Sequence, residues 1–261
     1  MSESKPRVEA IILGSGTSHG VPMIGCKCKV CTSDDPQDQR SRPSAFVRTG
    51  NVGVLIDTGP DLRSQCLANG VDHLDAVLFT HHHADHVAGL DDLRRFNWIT
   101  RRAVDLYGSE RTLANIKRMF RYAFEAASDS PHDRPQFNLH TIDHQAFEIE
   151  GERIVPIPIL HGKLPVLGFR FGDFAYCTDC SHIPDESMAL LQGLDVLVLE
   201  AIRHTPHPAH FNLEQAVEAA QQIRARQTYF THIAHQIGHA EVSENLPDGI
   251  ELAYDGLRIT V

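Results

Sequence analysis

The chain has 261 residues, and its hydrophobic fraction of 42% fits a globular protein with a full core. It contains 34 acidic and 24 basic residues, and the net charge of −10 argues against general coating of nucleic acid. No apolar run approaches the roughly 18–20 residues of a membrane span. The start, MSESKPRVEA, lacks the apolar centre of a signal peptide, so we expect a cytoplasmic protein that does not bind membranes.

Short β-type segments recur along the chain, with amphipathic helical patterns between them. The predicted strands are 8–14, 52–59, 75–81, 153–160, 166–172, 174–179, 195–201 and 228–232, followed by IELAY and LRITV near the C-terminus. Asp255-Gly256 lies between these last two segments and predicts a tight hairpin. Helices are predicted over 109–127 and 212–225, the second with Asn212 and Gln215 as a capping box.

The composition shows no break along the chain. One α/β domain over 1–261, built from stacked layers, is therefore expected. The turn-rich stretch SDSPHDRPQ at 128–136 predicts a mobile flap.

Three cysteines in six positions form a tight loop, GCKCKVCT, at 25–32. In a long chain without an export signal, such clusters are more often metal sites than disulfides. The thiols of Cys26, Cys28 and Cys31 are one ligand short of a tetrahedral zinc site.

A histidine-rich motif, LFTHHHADHVAGL at 78–90, directly follows a predicted strand. Alternation at the strand end can direct His81 and His83 at one metal ion, and the next turn can direct Asp85 and His86 at a second. Two adjacent ions can hold a bridging hydroxide at neutral pH. Imidazole and carboxylate ligands suit Zn²⁺ or Mn²⁺.

The order His-x-His-x-Asp-His after a buried strand resembles the metallo-β-lactamase superfamily. That resemblance implies a four-layer αββα sandwich, in which two mixed β-sheets are flanked by helices and two metals lie at one edge. It also implies three later ligands at strand ends, which match His161, Asp179 and His232. The first metal would then be bound by His81, His83, His161 and Asp179, and the second by Asp85, His86, His232 and the bridging Asp179.

Two further features of this motif bear on the chemistry. Di-iron redox members of the superfamily carry glutamate at the position of His83, so hydrolysis is favoured here. Asp57, in LIDTG, either orients a ligand histidine or caps a turn.

The fourth ligand of the cysteine site is predicted to be His235. It follows His232 by three residues and can point away from the catalytic metals. A structural Cys₃His zinc would tie this N-terminal loop to the C-terminal metal strand, whereas reduced thiols without metal are the alternative. Cys177 and Cys180 are expected to be buried strand cysteines, with a redox pair as the alternative.

Several segments look like one branch of the superfamily, which contains the phosphoribosyl cyclic phosphodiesterase of the carbon–phosphorus lyase pathway. They are GSGTSHGVPMIGCKCKVC, VLIDTG, LHGKLPVLGF and THIAHQ. The resemblance covers about residues 11–261 and implies hydrolysis of cyclic or small phosphodiesters. It further implies that His210 is catalytic, together with Asp179 and Asp85, although His204 and His207 lie in the same loop.

Substrate contacts are less well defined by the sequence. Lys163 and Arg94 or Arg95 could hold an anionic substrate, or they could be solvated. A longer segment at 98–145 predicts a pocket lid. No extended nucleic acid is expected as a partner, and a homodimer is one alternative for the assembly.

Other chemistry stays open at this stage. One alternative is hydrolysis of another ester, a lactone or a nucleic acid. A non-hydrolytic binding protein related to pyrroloquinoline-quinone biosynthesis is another.

Overall fold

The computed structural model describes residues 8–125 and 134–261. Most of these residues belong to strands and helices that alternate along the chain. The strands are β1 (Val8–Gly14), β2 (Ser44–Thr49), β3 (Val52–Ile56), β4 (Ala76–Leu78), β5 (Val104–Gly108), β6 (Phe137–Thr141), β7 (Phe147–Ile149), β8 (Glu152–His161), β9 (Leu164–Phe171), β10 (Phe174–Cys177), β11 (Val196–Glu200), β12 (Gln227–Thr231), β13 (Ile250–Leu252) and β14 (Arg258–Thr260). The α-helices are α1 (Leu62–Asn69), α2 (Ala84–Val87), α3 (Arg94–Thr100), α4 (Glu110–Met119), α5 (Arg121–Phe124), α6 (Asp185–Leu190), α7 (Leu213–Ile223) and α8 (His239–Ser243).

The strands form two mixed sheets with matching layouts. The first has the order β14-β1-β2-β3-β4-β5-β6, and the second has the order β13-β12-β11-β10-β9-β8-β7. Strands β3 to β6 run parallel to one another, as do β10 to β13, and the remaining neighbours are antiparallel. Each sheet therefore brings the carboxyl ends of several strands to one edge.

Three apolar clusters separate four layers. The central cluster joins the facing sides of the two sheets, with residues such as Ile56 and Leu78 from the first and Phe169 and Val198 from the second. The outer face of the first sheet packs against α1, α3 and α4. The outer face of the second sheet packs against α6, α7 and α8. The predicted αββα sandwich of two mixed sheets is confirmed.

The predicted C-terminal hairpin is wrong. Strand β13 pairs parallel with β12 in the second sheet, whereas β14 pairs antiparallel with β1 in the first. Asp255-Gly256 therefore lies where the chain crosses between sheets, and Gly256 adopts the left-handed conformation there, with φ 88°. Local turn residues favoured a hairpin, but each strand has a partner far away in sequence.

The helix predicted over 109–127 is divided. Phe120, with φ −111° and ψ 40°, separates α4 from α5. The helix predicted over 212–225 is present as α7, and its capping box between Asn212 and Gln215 is formed as expected. Four strands, β2, β5, β6 and β7, have no counterpart among the strands predicted from the sequence. The β2 segment lacks an alternation of buried and exposed residues, and the other three contain few residues or are partly exposed.

The segment predicted as a lid, 98–145, contains regular elements where it is described. It includes β5 and β6, which pair in the first sheet, and the helices α4 and α5. Of the flap predicted at 128–136, residues 128–133 lie outside the described residues. Among the helices that are described, none is both long and apolar enough to cross a bilayer.

Candidate active site

Polar side chains follow the buried strands at one edge of the sandwich. His161 and Glu200 are the last residues of β8 and β11, while Asp57 and His232 directly follow β3 and β12. Asp179 comes two residues after β10. Because these strands run in the same direction within their sheets, their ends deliver all five side chains to one edge.

Three of these residues have an unusual backbone conformation. Asp57, Asp179 and His232 have φ values of 62°, 54° and 56°. Holding a non-glycine residue in this left-handed region raises its conformational free energy by about 1–3 kcal/mol, and strained residues of this kind are concentrated at functional sites. The conformation turns the chain sharply after each strand, so that each side chain points into the shared edge.

The histidine motif enters this edge from the first sheet. His81 and His83 follow β4, and their ring atoms Nε2 and Nδ1 lie 2.9 Å apart. Asp85 and His86 lie on α2, the short helix that follows. The predicted ligands fall into one group of His81, His83 and His161 and a second group of Asp85, His86 and His232, each with donor atoms within 4.8 Å of one another.

Asp179 lies between the two groups. Its Oδ2 is 3.0 Å from Nε2 of His86 and 3.4 Å from Nε2 of His232, whereas its Oδ1 is 3.9 Å from Nε2 of His161. One carboxylate oxygen therefore faces each group, as the predicted bridging role requires. Burial would raise the pKa of Asp179, but His232 and His86 beside it hold that pKa well below its usual range.

The donor set fits divalent metal ions. Nε2 of His86 and Nε2 of His232 are buried and face Oδ2 of Asp179, but neither nitrogen makes a hydrogen bond of good geometry with the described residues. Although burial opposes charge, Asp179, Asp85 and Asp57 together hold the pKa of His86 well above its usual value. Buried imidazoles without a well-formed hydrogen bond, surrounded by carboxylates, are the arrangement that a divalent cation completes.

Asp57 supports the motif from behind. Its Oδ2 accepts a hydrogen bond from Nδ1 of His86 at 2.7 Å, and its two oxygens also accept from the backbone N–H and the hydroxyl of Thr80 at 2.9 and 2.8 Å. The carboxylate is fully buried. Of the two predicted roles, this contact supports the orientation of a candidate ligand histidine. The hydrogen bond fixes Nδ1 of His86 and leaves its Nε2 facing the other candidate ligands.

His210 lies at the same edge on the loop before α7. Its Nδ1 is 2.8 Å from Oε2 of Glu200 and 3.8 Å from Oδ1 of Asp179, and the residue is 9% exposed. Burial, followed by repulsion from His232, lowers the pKa of His210 to about 4. His204 is exposed and His207 half-buried, so His210 is the histidine of this loop that reaches the cluster.

Glu200 is the functional residue that the sequence reasoning missed. It is fully buried, and besides His210 it approaches Nδ1 of His232 at 3.4 Å. Its Oε1 accepts hydrogen bonds from the backbone N–H groups of Cys180 and Phe211 at 2.6 and 3.1 Å. The available signal was a lone carboxylate that ends the apolar strand VLVLE, next to the strand that leads to Asp179.

The cysteine cluster forms with the predicted histidine. Sγ of Cys26 and Sγ of Cys28 lie 3.4 and 3.3 Å from Nδ1 of His235, and Cys31 belongs to the same group of possible ligands. Zinc bonds to sulfur and nitrogen at tetrahedral angles would separate such atoms by about 3.5 Å. The backbone N–H of Cys31, then His235, lowers the pKa of Cys28 to about 6.

Five other residues singled out in the sequence do not belong to these ligand groups. Lys163 is exposed in the turn between β8 and β9, and Arg95 is exposed on α3. Arg94 lines a separate cleft that contains none of the predicted ligands. Cys177 and Cys180 are both fully buried, and burial raises the pKa of Cys177 to about 12, which favours inert core thiols over a redox pair.

A family model described as a beta-lactamase superfamily domain matches residues 53–233. The chain belongs to the beta-lactamase superfamily. The matched region includes both strand-end groups and the histidine motif, and the two-sheet architecture is that of the metallo-β-lactamase fold.

Three proteins are similar to this chain over most of its length. The crystal structure of a diphosphatase from the PhnP family is 46% identical, with a TM-score of 0.91 and coverage of 97% of each chain. A protein named octanoyltransferase from Porphyromonas gingivalis is 38% identical over 97% of this chain, which spans only about half of that protein's length (52%). Coenzyme PQQ synthesis protein B from Methylobacterium radiotolerans is 34% identical, and the alignment covers 74% of this chain and 72% of that protein.

Proposed function

We propose that this protein is a metal-dependent hydrolase, namely a phosphodiesterase with two catalytic cations, Zn²⁺ or Mn²⁺, and that it hydrolyses cyclic or small phosphodiesters. The observation that carries the proposal is the position of Asp179, whose two oxygens face different ligand groups. The likeness to a diphosphatase of the PhnP family supports phosphate chemistry. The net charge of −10 supports a small substrate over an extended nucleic acid.

Each cation has a set of side chains that would hold it. His81, His83 and His161 would hold the first, and Asp85, His86 and His232 the second, with Asp179 shared. The chemistry that such a pair supplies is Lewis acidity at the phosphate and a lowered pKa of water, so that hydroxide is present near neutral pH. The chain's own contribution is to fix these donors through strand ends and through Asp57.

His210 and Glu200 would handle the proton of the leaving group. The contact between Oε2 of Glu200 and Nδ1 of His210 at 2.8 Å occupies that ring nitrogen, which would leave Nε2 to face the substrate. Since the pKa of His210 is lowered to about 4, the imidazole is neutral at pH 7, and its Nε2 would accept the proton that the attacking water loses and deliver it to the leaving oxygen. In the net reaction, an oxygen of water bonds to phosphorus, the bond to the leaving oxygen breaks, and that oxygen gains the proton.

The cysteine cluster would hold a structural Zn²⁺ with four protein ligands and no open position. The half-exposed Cys26 and Cys28 come from the N-terminal loop, and His235 comes three residues after His232. Burial raises the pKa of Cys31 to about 11, so a bound cation would be needed to keep this thiol deprotonated. We propose that this zinc braces the loop that carries His232.

The proposal is tested with bis(p-nitrophenyl) phosphate and protein loaded with Mn²⁺ or Zn²⁺. We expect release of nitrophenol that depends on the metal. His210→Ala should retain its metal content while kcat falls about 10²- to 10⁴-fold, the range for loss of a general acid or base. Full turnover by metal-loaded His210→Ala would contradict the catalytic role.

A second candidate is a non-hydrolytic binding protein, which the 34% identity to a coenzyme PQQ synthesis protein B favours. All seven predicted catalytic ligands are present at one edge in this chain, which supports hydrolysis instead. Absence of turnover from fully metal-loaded wild-type protein would contradict the phosphodiesterase and favour the non-hydrolytic binding protein.

A further inference from the structure

A small cleft beside α3 contains none of the candidate metal ligands. Its wall consists of Arg94, Arg101, Arg102 and Arg134, together with Trp98 and two side-chain amides. The volume of this arginine cleft is about 110 Å³. Sites for drug-sized molecules have about 300–1,000 Å³, so the cleft suits an occupant the size of a few water molecules.

The charge of the arginine cleft is opposite in sign to that of the chain. Its lining contains four arginines and no aspartate or glutamate, whereas the chain has a net charge of −10. A guanidinium group stays protonated in proteins, so this positive charge does not depend on the titration of any histidine. Four positive charges around one small space favour an anion inside it.

Two of these arginines have no carboxylate partner in the described part of the chain. No acidic side chain there lies within 4.0 Å of the guanidinium of Arg101 or of Arg102. Nη2 of Arg94 is 3.6 Å from Oδ2 of Asp91, and both side chains are nearly half exposed, so water weakens this contact. The positive charge of the cleft is therefore mostly left for a ligand.

The backbone that carries Arg101 and Arg102 is held in place by Asn97. Its Nδ2 donates hydrogen bonds to the backbone carbonyls of Arg102 and Gln136 at 2.8 and 2.9 Å, and its Oδ1 accepts from the N–H of Gln136 at 2.9 Å. Asn97 thus ties the turn after α3 to the segment that leads into β6. Arg101 ends α3 in the left-handed conformation, with φ 59°, which glycine usually adopts at helix ends. The two arginines start from a fixed turn, and this lowers the entropy that binding an anion would cost.

We propose that the arginine cleft is an anion site, separate from the candidate active site, that binds a phosphate dianion, either free or as the end group of a phosphomonoester. Planar guanidinium groups match the oxygens of a phosphate with pairs of parallel hydrogen bonds. The small volume admits the phosphate group itself, and the rest of a larger ligand would extend into solvent. The inference is independent of the proposed function, because no candidate metal ligand lines the cleft.

The chain carries its own reporter for this cleft. Trp98 is the single tryptophan of the protein, lines the cleft and is 48% exposed. The test follows its fluorescence while metal-loaded protein is titrated with inorganic phosphate or with glycerol 3-phosphate at constant ionic strength. We expect a saturable change with these ligands and none with potassium chloride or glycerol.

Variants of the cleft locate the binding. Arg101→Gln and Arg102→Gln should each raise the Kd about tenfold or more, the size of one hydrogen bond to a charged group. Arg101→Lys should bind more tightly than Arg101→Gln, because it keeps the positive charge. Arg224→Gln is the matched control, since Arg224 ends α7 with the same φ of 59° but does not line the cleft. Its Kd should equal that of wild type.

The two ligands distinguish the source of the phosphate. Tighter binding of glycerol 3-phosphate would assign the cleft to phosphomonoesters, and equal or tighter binding of inorganic phosphate would assign it to the free anion. The proposal is overturned if wild type responds to neither ligand, if Arg101→Gln and Arg102→Gln both keep the wild-type Kd, or if Arg224→Gln weakens binding as much as they do. Because no measurement here depends on turnover, such a failure leaves the proposed phosphodiesterase in place, and inactivity on bis(p-nitrophenyl) phosphate leaves the arginine cleft in place.

Discussion

The His–Asp cluster and the Cys–His cluster meet within one short loop, since His232 belongs to the first and His235 to the second. The first cluster combines imidazoles with carboxylates and is mostly buried, whereas the second combines thiols with one imidazole and has Cys26 and Cys28 half-exposed. The same loop thus serves two sites with different donor chemistry. Carboxylates and imidazoles suit a reactive centre with open positions, and three thiols with one imidazole suit a closed zinc site.

The two clusters also differ in how the fold positions them. Strand ends and strained turns at Asp57, Asp179 and His232 hold the first cluster, with support from buried hydrogen bonds. The second cluster lies on a loop whose own apolar packing is small, consisting of Val21, Val30 and Cys31 with three partly buried neighbours. The first site is therefore preorganised by the sheets, while the second is expected to depend on its metal for local order.

The largest effect is expected from Asp179→Asn. This change removes the negative charge that both ligand groups share, so we expect loss of catalytic metal and a fall in kcat on the order of 10³-fold or more. Elemental analysis should still find the zinc of the Cys–His cluster. A variant that keeps both catalytic ions and full turnover would contradict the bridging role.

The next largest effect is expected from Cys28→Ser, which removes one thiol of the second cluster. Because that cluster should depend on its metal, we expect one zinc fewer per chain and a free energy of unfolding lower by on the order of 4 kcal/mol, the size associated with loss of a metal site. Differential scanning calorimetry and metal analysis would measure both. Cys66→Ala is the control, since Cys66 lies on α1 outside both clusters; an unchanged metal content in Cys28→Ser would contradict the zinc site.

The sequence predicted the architecture and most of the site, for a physical reason. His81, His83, Asp85 and His86 lie within six residues of one another after β4, so their proximity is local and visible in the sequence. His161, Asp179 and His232 are distant in sequence, and spacing alone could not bring them together. A family resemblance was needed to select them, and the structure places all three at the same edge.

Long-range pairing explains what the sequence could not show. A lone carboxylate that ends an apolar strand, as Glu200 does, has no local feature that separates it from a solvated strand end. Its role depends on His210, ten residues later, and on the parallel neighbour β10. Likewise, the turn at Asp255-Gly256 gives no indication that the chain crosses between sheets, because the partner of β14 is β1 at the other end of the chain.

An intermediate effect is expected from Asp57→Asn, which tests the support behind the first cluster. The amide can still accept from Nδ1 of His86 but no longer supplies a negative charge, so we expect metal affinity at the catalytic site to fall about 10- to 100-fold. Competition with a chelator followed by activity would measure the loss. The zinc of the second cluster should be retained, and equal weakening of both sites would show that the change had disturbed the fold instead.

The smallest effect is expected from Glu241→Gln, at the surface of the second cluster. Lys29, on the cysteine loop, pairs with Glu241 on α8 at 2.9 Å, and the two side chains are 86% and 71% exposed. An ion pair in such contact with water gains little, because solvent and salt screen it and two long side chains must be ordered. We therefore expect unchanged zinc content and no measurable shift in the melting temperature. A clear loss of zinc in Glu241→Gln would mean that this surface contact, and not the metal itself, holds the cysteine loop against the loop of His235.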